Sequence, residues 1–383
     1  MAVERYGEPL RPIDLPQPVP GPGQVLVRVL GCGVCRSDLK IADGAMPFSA
    51  TLRLPHVPGH EIAGEIVAFG PPAQDGGPGA TPGVHTGDRV VVYNYWGCRT
   101  CARCQAGEEN LCERLQGWTG FTSPGGFQEY LVVPGDCVLP LPVNVPPEHG
   151  GPLSCALGTA YRAVVTRAGV RAGETVAILG AGGVGLHAVE VVRAAGARAL
   201  AVDLQRHRLD AARVLGADGA FLAGDGAADA VRQATDGRGA DVVVDTVGHH
   251  GSLLAAADLV RTGGRIVLVG YTVVAADYPP VPSERLALGE ISVVGSRYVT
   301  RRELRRALDL VSRGLVRPIV AEEVPLARVN DALAMVREDR VTGRVVVRVA
   351  PFVAGSGAPS GAPSGAPSGA GQAGQAGQAG QAG

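Results

Sequence analysis

The sequence is short of lysine: Lys40 is the only one among 35 basic side chains. Aromatic residues make up 4%, with 2 tryptophans and 6 phenylalanines. Net charge is nearly absent as well, because 36 acidic groups offset the 35 basic ones and leave −1. A nucleic-acid binder or a polybasic membrane binder needs a cationic surface, so this balance argues against both. No apolar run approaches the ~18 residues that a membrane-spanning helix requires. The N-terminal stretch MAVERYGEPLRPIDLPQPVPGPGQ has no cationic start followed by an apolar segment, so it does not read as an export signal. A cytoplasmic protein with no membrane partner is the resulting expectation. The arginine-for-lysine bias, beside abundant Ala, Gly, Val and Pro, reads as a coding preference rather than an adaptation.

Hydrophobic residues, by contrast, reach 46%, enough for a sizeable core. A chain of 383 residues suggests two domains at roughly 100–200 residues each. Part of the high glycine and proline content sits in residues 351–383, where SGAP occurs three times and GQA four times. That stretch has no charge and no bulky apolar residue after Val353, so it reads as a flexible tail behind a globular part of about 1–350.

Two patterns share the globular part. In the N-terminal half, QVLVRVL (24–30) reads as a strand and GCGVCRSDL as a turn leading into a short helix. HVPGHEIAGEIVAFG (56–70) reads as a loop entering a strand, 71–87 as a Gly/Pro loop, and DRVVVY as another strand. From about residue 155, apolar strands alternate with helices, from TVAILG to EISVVGS (290–296). Such alternation implies a doubly wound α/β domain, a parallel sheet with helices on both faces. Two helices, TRRELRRALDLVSRG and ARVNDALAMVRED, and the strand GRVVVRV close the globular part.

Gly180, Gly182, Gly183, Val184 and Gly185 stand between the strand TVAILG and a helix. The strand–turn–helix context makes this GxGxxG pattern a dinucleotide-binding turn: tight at Gly180, open to a pyrophosphate at Gly182, closely packed at Gly185. Asp203 ends the next strand, 18 residues after Gly185. Its carboxylate suits the adenosine ribose hydroxyls and repels the extra phosphate of NADP, so NAD is the expected coenzyme.

Cys98, Cys101, Cys104 and Cys112 form C-x2-C-x2-C-x7-C, a spacing suited to a closed, tetrahedral structural zinc. Free or disulfide-paired thiols are the alternative, and one that a cytoplasmic chain disfavours. Cys35, His60 and Cys155 would make a neutral complex with zinc and leave a position open for a substrate oxygen. Spacing alone does not join them: taken singly, Cys35 and Cys155 read as buried thiols and His60 as a surface imidazole.

Several segments together resemble the zinc-dependent medium-chain alcohol dehydrogenases. They are Gly33-Val34-Cys35-Arg36-Ser37-Asp38, Gly59-His60-Glu61-Ile62-Ala63-Gly64-Glu65, the four-cysteine loop, Leu153–Tyr161, Asp241–Asp245 and Gly263–Gly270. The resemblance covers about residues 1–350 and implies a split catalytic domain. Its β-rich, GroES-like part would be 1–153 plus 296–350, with the structural zinc lobe at 95–113, around a Rossmann domain at 154–295. It further implies that Cys35, His60 and Cys155 hold a catalytic zinc. Glu61 would be an exchanging ligand, Asp38 would orient the His60 ring, and Ser37 would take the substrate proton. Arg36 would pair with the coenzyme pyrophosphate, Arg208 would lie near the adenosine ribose, and Val247 and Val269 would border the coenzyme. Trp96 and Trp118 would line the substrate pocket.

The activity implied is reversible, NAD-linked oxidation of primary or secondary alcohols to aldehydes or ketones, with two zinc ions per chain. A homodimer or homotetramer is expected, with EISVVGS as a candidate contact. A polyol or amino-alcohol dehydrogenase is the nearest alternative, disfavoured by Arg36. A non-catalytic zinc and nucleotide binder is the rival from another class, disfavoured by the intact Cys35, Ser37, His60 and Cys155. Where many family members place a relay histidine stands Lys40, whose plain reading is a solvated side chain, with a phosphate contact or a relay end as alternatives.

Overall fold

The computed structural model describes residues 1–73, 79–278, 280 and 282–349. The repeat tail read from the sequence lies outside the described residues, as does part of the 71–87 loop. In chain order the first strands are β1 (Gln24–Val34), β2 (Glu61–Phe69) and β3 (Arg89–Val92), then the short β4 (Tyr95–Trp96) and β5 (Gly117–Trp118). They are followed by β6 (Tyr130–Pro134), β7 (Val138–Pro140), β8 (Thr175–Leu179), β9 (Arg198–Asp203) and β10 (Gly219–Leu222). The last are β11 (Ala240–Asp245), β12 (Val260–Leu268), β13 (Ser292–Gly295), β14 (Val320–Pro325) and β15 (Arg344–Arg348).

Two large sheets organise these strands. In the first, the order is β14-β15-β1-β2-β3-β7, with β6 also paired to β1. Its C-terminal strand returns across the whole chain, pairing Gly31–Val34 antiparallel with Val345–Arg348. β1 is longer than the sequence pattern suggests, running through the glycines at 31 and 33 rather than turning there. Flanking strands hold this segment extended, and the glycines permit close packing: a Cβ on Gly33 would lie 2.3 Å from Glu61 Oε2.

The second sheet has the order β10-β9-β8-β11-β12-β13, every neighbouring pair parallel. Numbered from β8, that is 3-2-1-4-5-6, the doubly wound Rossmann order. Parallel strands covered on both faces read as continuous apolar runs, and every residue of β8 is buried. Helices follow where the alternation places them: Gly183–Ala194 after β8, Arg206–Val214 after β9, Ala227–Gln233 after β10 and Ser252–Leu259 after β11. The sheet order reverses between β8 and β11. The crevice at the C-terminal strand ends there is where such sheets take ligands.

The helix Arg301–Ser312 starts sharply. Thr300 Oγ1 accepts from Glu303 N at 3.2 Å, and Glu303 Oε2 accepts from Thr300 N at 2.8 Å. Glu303 also accepts from Arg162 at 2.8 Å and from Thr166 at 2.6 Å, which ties this helix to the segment carrying Cys155. No helix among the described residues is long and apolar enough to cross a membrane.

Candidate active site

Three distant segments bring one donor set together. Cys35 follows β1 and precedes the helix Arg36–Ala42, His60 precedes β2, and Glu61 opens it. Cys155 lies in a stretch of π-helical turns, Leu153–Leu157, a backbone irregularity common at functional sites. One donor atom from each of Cys35, His60, Glu61 and Cys155 falls within 4.8 Å of the others. His60, Glu61 and Cys155 are buried and Cys35 nearly so.

Each member of the set is held by a specific partner. Asp38, fully buried, accepts from His60 Nδ1 at 3.0 Å and from the Cys35 backbone N–H at 2.8 Å. With Nδ1 carrying the proton, Nε2 keeps its lone pair for a metal. Glu61 accepts from Arg344 Nε at 2.9 and 3.0 Å. Burial pushes the Glu61 carboxyl up to about 7, with Arg344 pulling the other way. The Cys155 thiol, helped by Arg344 and opposed by burial, draws Cys35 well below the usual thiol range; Cys155 is raised in return. Two sulfurs, an imidazole and a carboxylate sharing a dry site crowd negative charge, and this donor set fits a zinc ion.

The four-cysteine loop also converges. Cys98, Cys101, Cys104 and Cys112 offer sulfurs within 4.8 Å of one another. The Cys98–Cys104 and Cys101–Cys112 sulfur pairs are each 4.0 Å apart, and all eight cysteines are free thiols. A disulfide needs about 2.05 Å. A tetrahedron with metal–sulfur bonds of about 2.3 Å has edges of about 3.8 Å, so these separations fit a shared zinc. Thr100 and backbone N–H groups donate to Cys98 and push its thiol down to about 5, as a metal-binding thiolate requires.

The glycine turn lies at the strand reversal. Gly180–Gly185 follows β8, Asp203 ends β9, Val247 follows β11 and Val269 follows β12, all at C-terminal strand ends. A Cβ on Gly185 would stand 1.8 Å from the Gly180 carbonyl oxygen, so the turn closes only with glycine there. Asp203 accepts from the Ala181 N–H at 2.7 Å and from the Gln205 N–H at 2.8 Å, which fixes its carboxylate beside the turn. Arg36 and Arg208, 172 residues apart in sequence, converge on one carboxylate, Asp339. The Arg208 bond is 2.8 Å. These two cations, against partial burial, hold Asp339 below the usual carboxylate range.

Three further residues belong here that motif reading passes over. Arg344 touches both halves of the site: it donates to Glu61, its Nη2 lies 3.7 Å from Cys35 Sγ, and a Cβ on Gly183 would meet its Nη1 at 1.9 Å. An arginine opening an apolar strand carries no motif, so no sequence signal marks it. Asp339 and Tyr271 lie in loops without pattern. Tyr271 also corrects the solvated reading of Lys40. Lys40 Nζ donates to the Tyr271 carbonyl at 2.9 Å and sits 3.7 Å from its ring centroid, and burial lowers the ammonium below the usual lysine range. Burial raises the Tyr271 phenol above its usual range, and Ser37 pulls it the other way.

The two tryptophans divide. Trp118 stacks on Phe121 at 3.8 Å between centroids, and Phe121 packs on the His60 ring at 4.7 Å, so Trp118 borders the donor set. Trp96 instead donates to Thr119 Oγ1 at 2.9 Å and packs against the cores of both large sheets.

Comparison with known proteins points the same way. Residues 21–143 match the alcohol dehydrogenase GroES-like domain, and residues 183–313 match the zinc-binding dehydrogenase domain. An alcohol dehydrogenase of Geobacillus stearothermophilus is 36% identical over 347 residues, 90% of this chain and 98% of that one. An NAD-dependent alcohol dehydrogenase of Sulfolobus acidocaldarius is 33% identical over 352 residues, 91% of this chain and 98% of that one. The crystal structure of the alcohol dehydrogenase from Aeropyrum pernix superposes with a TM-score of 0.81 at 32% identity, covering 91% of this chain and 98% of that one.

Proposed function

The chain belongs to the zinc-dependent medium-chain alcohol dehydrogenases, and from that premise we propose that it is an NAD-linked oxidoreductase of primary or secondary alcohols, working reversibly with aldehydes or ketones. The observation that carries this reading is the donor set of Cys35, His60, Glu61 and Cys155, joined to the glycine turn by Arg344. Cys35, His60 and Cys155 would hold a zinc ion, with Glu61 in reach of it. Cys98, Cys101, Cys104 and Cys112 would hold a second, which stabilises its loop and leaves no open position. Zinc at the first site supplies Lewis acidity to an alcohol oxygen, and NAD supplies the hydride acceptor.

The chain's own groups do the rest. Asp38 keeps the His60 ring in the tautomer that presents Nε2. Ser37 would take the proton of the alcohol while passing its own hydroxyl proton outward toward solvent. Arg36 and Arg208 offer planar guanidinium groups to the coenzyme, and Asp203 selects ribose hydroxyls over a ribose phosphate. Asp339, bound to both arginines, keeps them together.

On this reading a catalytic unit of 1–153 and 296–350 flanks a coenzyme unit of 154–295; the return of β15 to β1 supports that division. The exposed edge strand β13 supports a homo-oligomer. NADH formation from a panel of primary and secondary alcohols by zinc-loaded protein tests the activity. Cys35→Ala should abolish it, and an unchanged rate in that variant would remove the donor set from the chemistry. Asp203→Gly should lose its preference for NAD over NADP; an unaltered ratio would overturn the coenzyme assignment.

A further inference from the structure

A wall of rings runs from His60. Phe121 packs on His60, Trp118 stacks on Phe121, and Tyr95 stacks on Trp118 with centroids 5.1 Å apart. Arg297 lies over this wall, its guanidinium carbon 5.2 Å from the Tyr95 centroid and 5.5 Å from that of Trp118. Its Nε donates to the Tyr95 hydroxyl at 3.2 Å. Burial pushes the Tyr95 phenol up to about 12, with Arg297 lowering and Cys155 raising it, so one phenol senses both the guanidinium and the donor set.

One cation ends this wall without a carboxylate. Arg297 forms no ion pair among the described residues, and its exposed guanidinium bonds only through Nε. A guanidinium only donates, so the ligand group that would pair with it is an acceptor. A simple aliphatic alcohol offers it none. A carboxylate accepts from a guanidinium in a bidentate fork.

We propose that Arg297 forms an anion subsite, so that the preferred substrate is a hydroxy acid or the matching oxo acid. The reacting end rests on the alcohol dehydrogenase reading, and the far end rests on Arg297. The carboxylate takes no part in the redox step: the carbinol carbon gives its hydride to NAD, the hydroxyl gives its proton to Ser37, which releases its own toward solvent, and the acid group is unchanged.

The test compares kcat/KM for ω-hydroxy acids of increasing chain length with that for their methyl esters, using zinc-loaded protein and NAD. At the best length the acid should exceed the ester by about tenfold or more, as a charged hydrogen bond implies. Arg297→Gln should bring that ratio near one through KM, and Arg297→Lys should restore part of it. A ratio near one at every length, or an unchanged ratio in Arg297→Gln, overturns the subsite. A second readout needs no turnover: hexanoate titrated against the zinc- and NAD-loaded protein, followed by tryptophan fluorescence. Binding weakened about tenfold in Arg297→Gln supports the subsite; equal binding overturns it. If nothing in the series is oxidised but hexanoate binding depends on Arg297, the activity reading fails and the subsite stands.

Discussion

Arg344 Nε lies within 2.9 Å of Glu61 Oε1 and 3.0 Å of Oε2, a pair buried in the protein and separated by 283 residues of chain. Because the same guanidinium reaches Cys35 and packs against Gly183, one side chain sets the charge of the metal donors and borders the coenzyme turn.

Removing one member of a buried ion pair costs more than removing both, because the survivor stays buried and unpaired. Arg344→Met should therefore lower unfolding free energy by about 3–5 kcal/mol. Arg344→Met/Glu61→Gln should recover much of that loss. Urea unfolding of the two variants checks it; equal losses would show that Glu61 is not the group left behind.

Asp38 has two tasks, orienting His60 and accepting from the Cys35 backbone. Asp38→Asn should weaken zinc binding by about 10–100-fold, the usual penalty for losing such a partner. Competition with a chromogenic chelator measures it, and an unchanged affinity would remove Asp38 from the positioning of His60.

In the cysteine loop, Cys98→Ser should lower the metal content from about two zinc ions per chain to about one. The melting temperature should fall by about 5 °C or more, since binding to such a loop is also folding free energy. Elemental analysis and calorimetry on the same sample would show it. Retention of both ions would contradict the assignment.

Glu190, on the helix that opens at Gly183, is buried, and burial pushes its carboxyl up to about 7 against the opposing Arg317 and Arg193. An unfolded glutamate titrates near pH 4.3. Between these values the folded chain binds more protons than the unfolded one, so stability falls as pH rises from about 4.3 to about 7. Glu190→Gln should flatten that fall, a change of up to about 3 kcal/mol in the difference between pH 4.5 and pH 7.5. Chemical unfolding at the two pH values measures the slope, and parallel profiles for wild type and variant would exclude Glu190 as its source.

Much of the coenzyme sheet was readable from pattern. β8 to β13 and their helices follow an apolar alternation that needs no tertiary help to be seen, and the order 3-2-1-4-5-6 agrees with the Gly180–Gly185 turn at its start. β1 was read too short, because glycine breaks a strand pattern locally while flanking strands can still hold it extended. Lys40 was read as solvated, because nothing near it in sequence announces Tyr271.

The sequence by itself determined the four-cysteine loop and the glycine turn, since a chain this short between ligands, or between a strand and its helix, has few ways to close. Only the tertiary structure decided what completes the site. Sheet pairing brings Arg344 on β15 beside Glu61 on β2 by way of β1, and helix packing carries Cys155 to Cys35 and His60. It also set Arg36 and Arg208 on Asp339, and Arg297 over Tyr95 and Trp118. Such contacts join residues hundreds of positions apart, and no local spacing encodes them. They follow from which strand edges and ring faces the fold buries together.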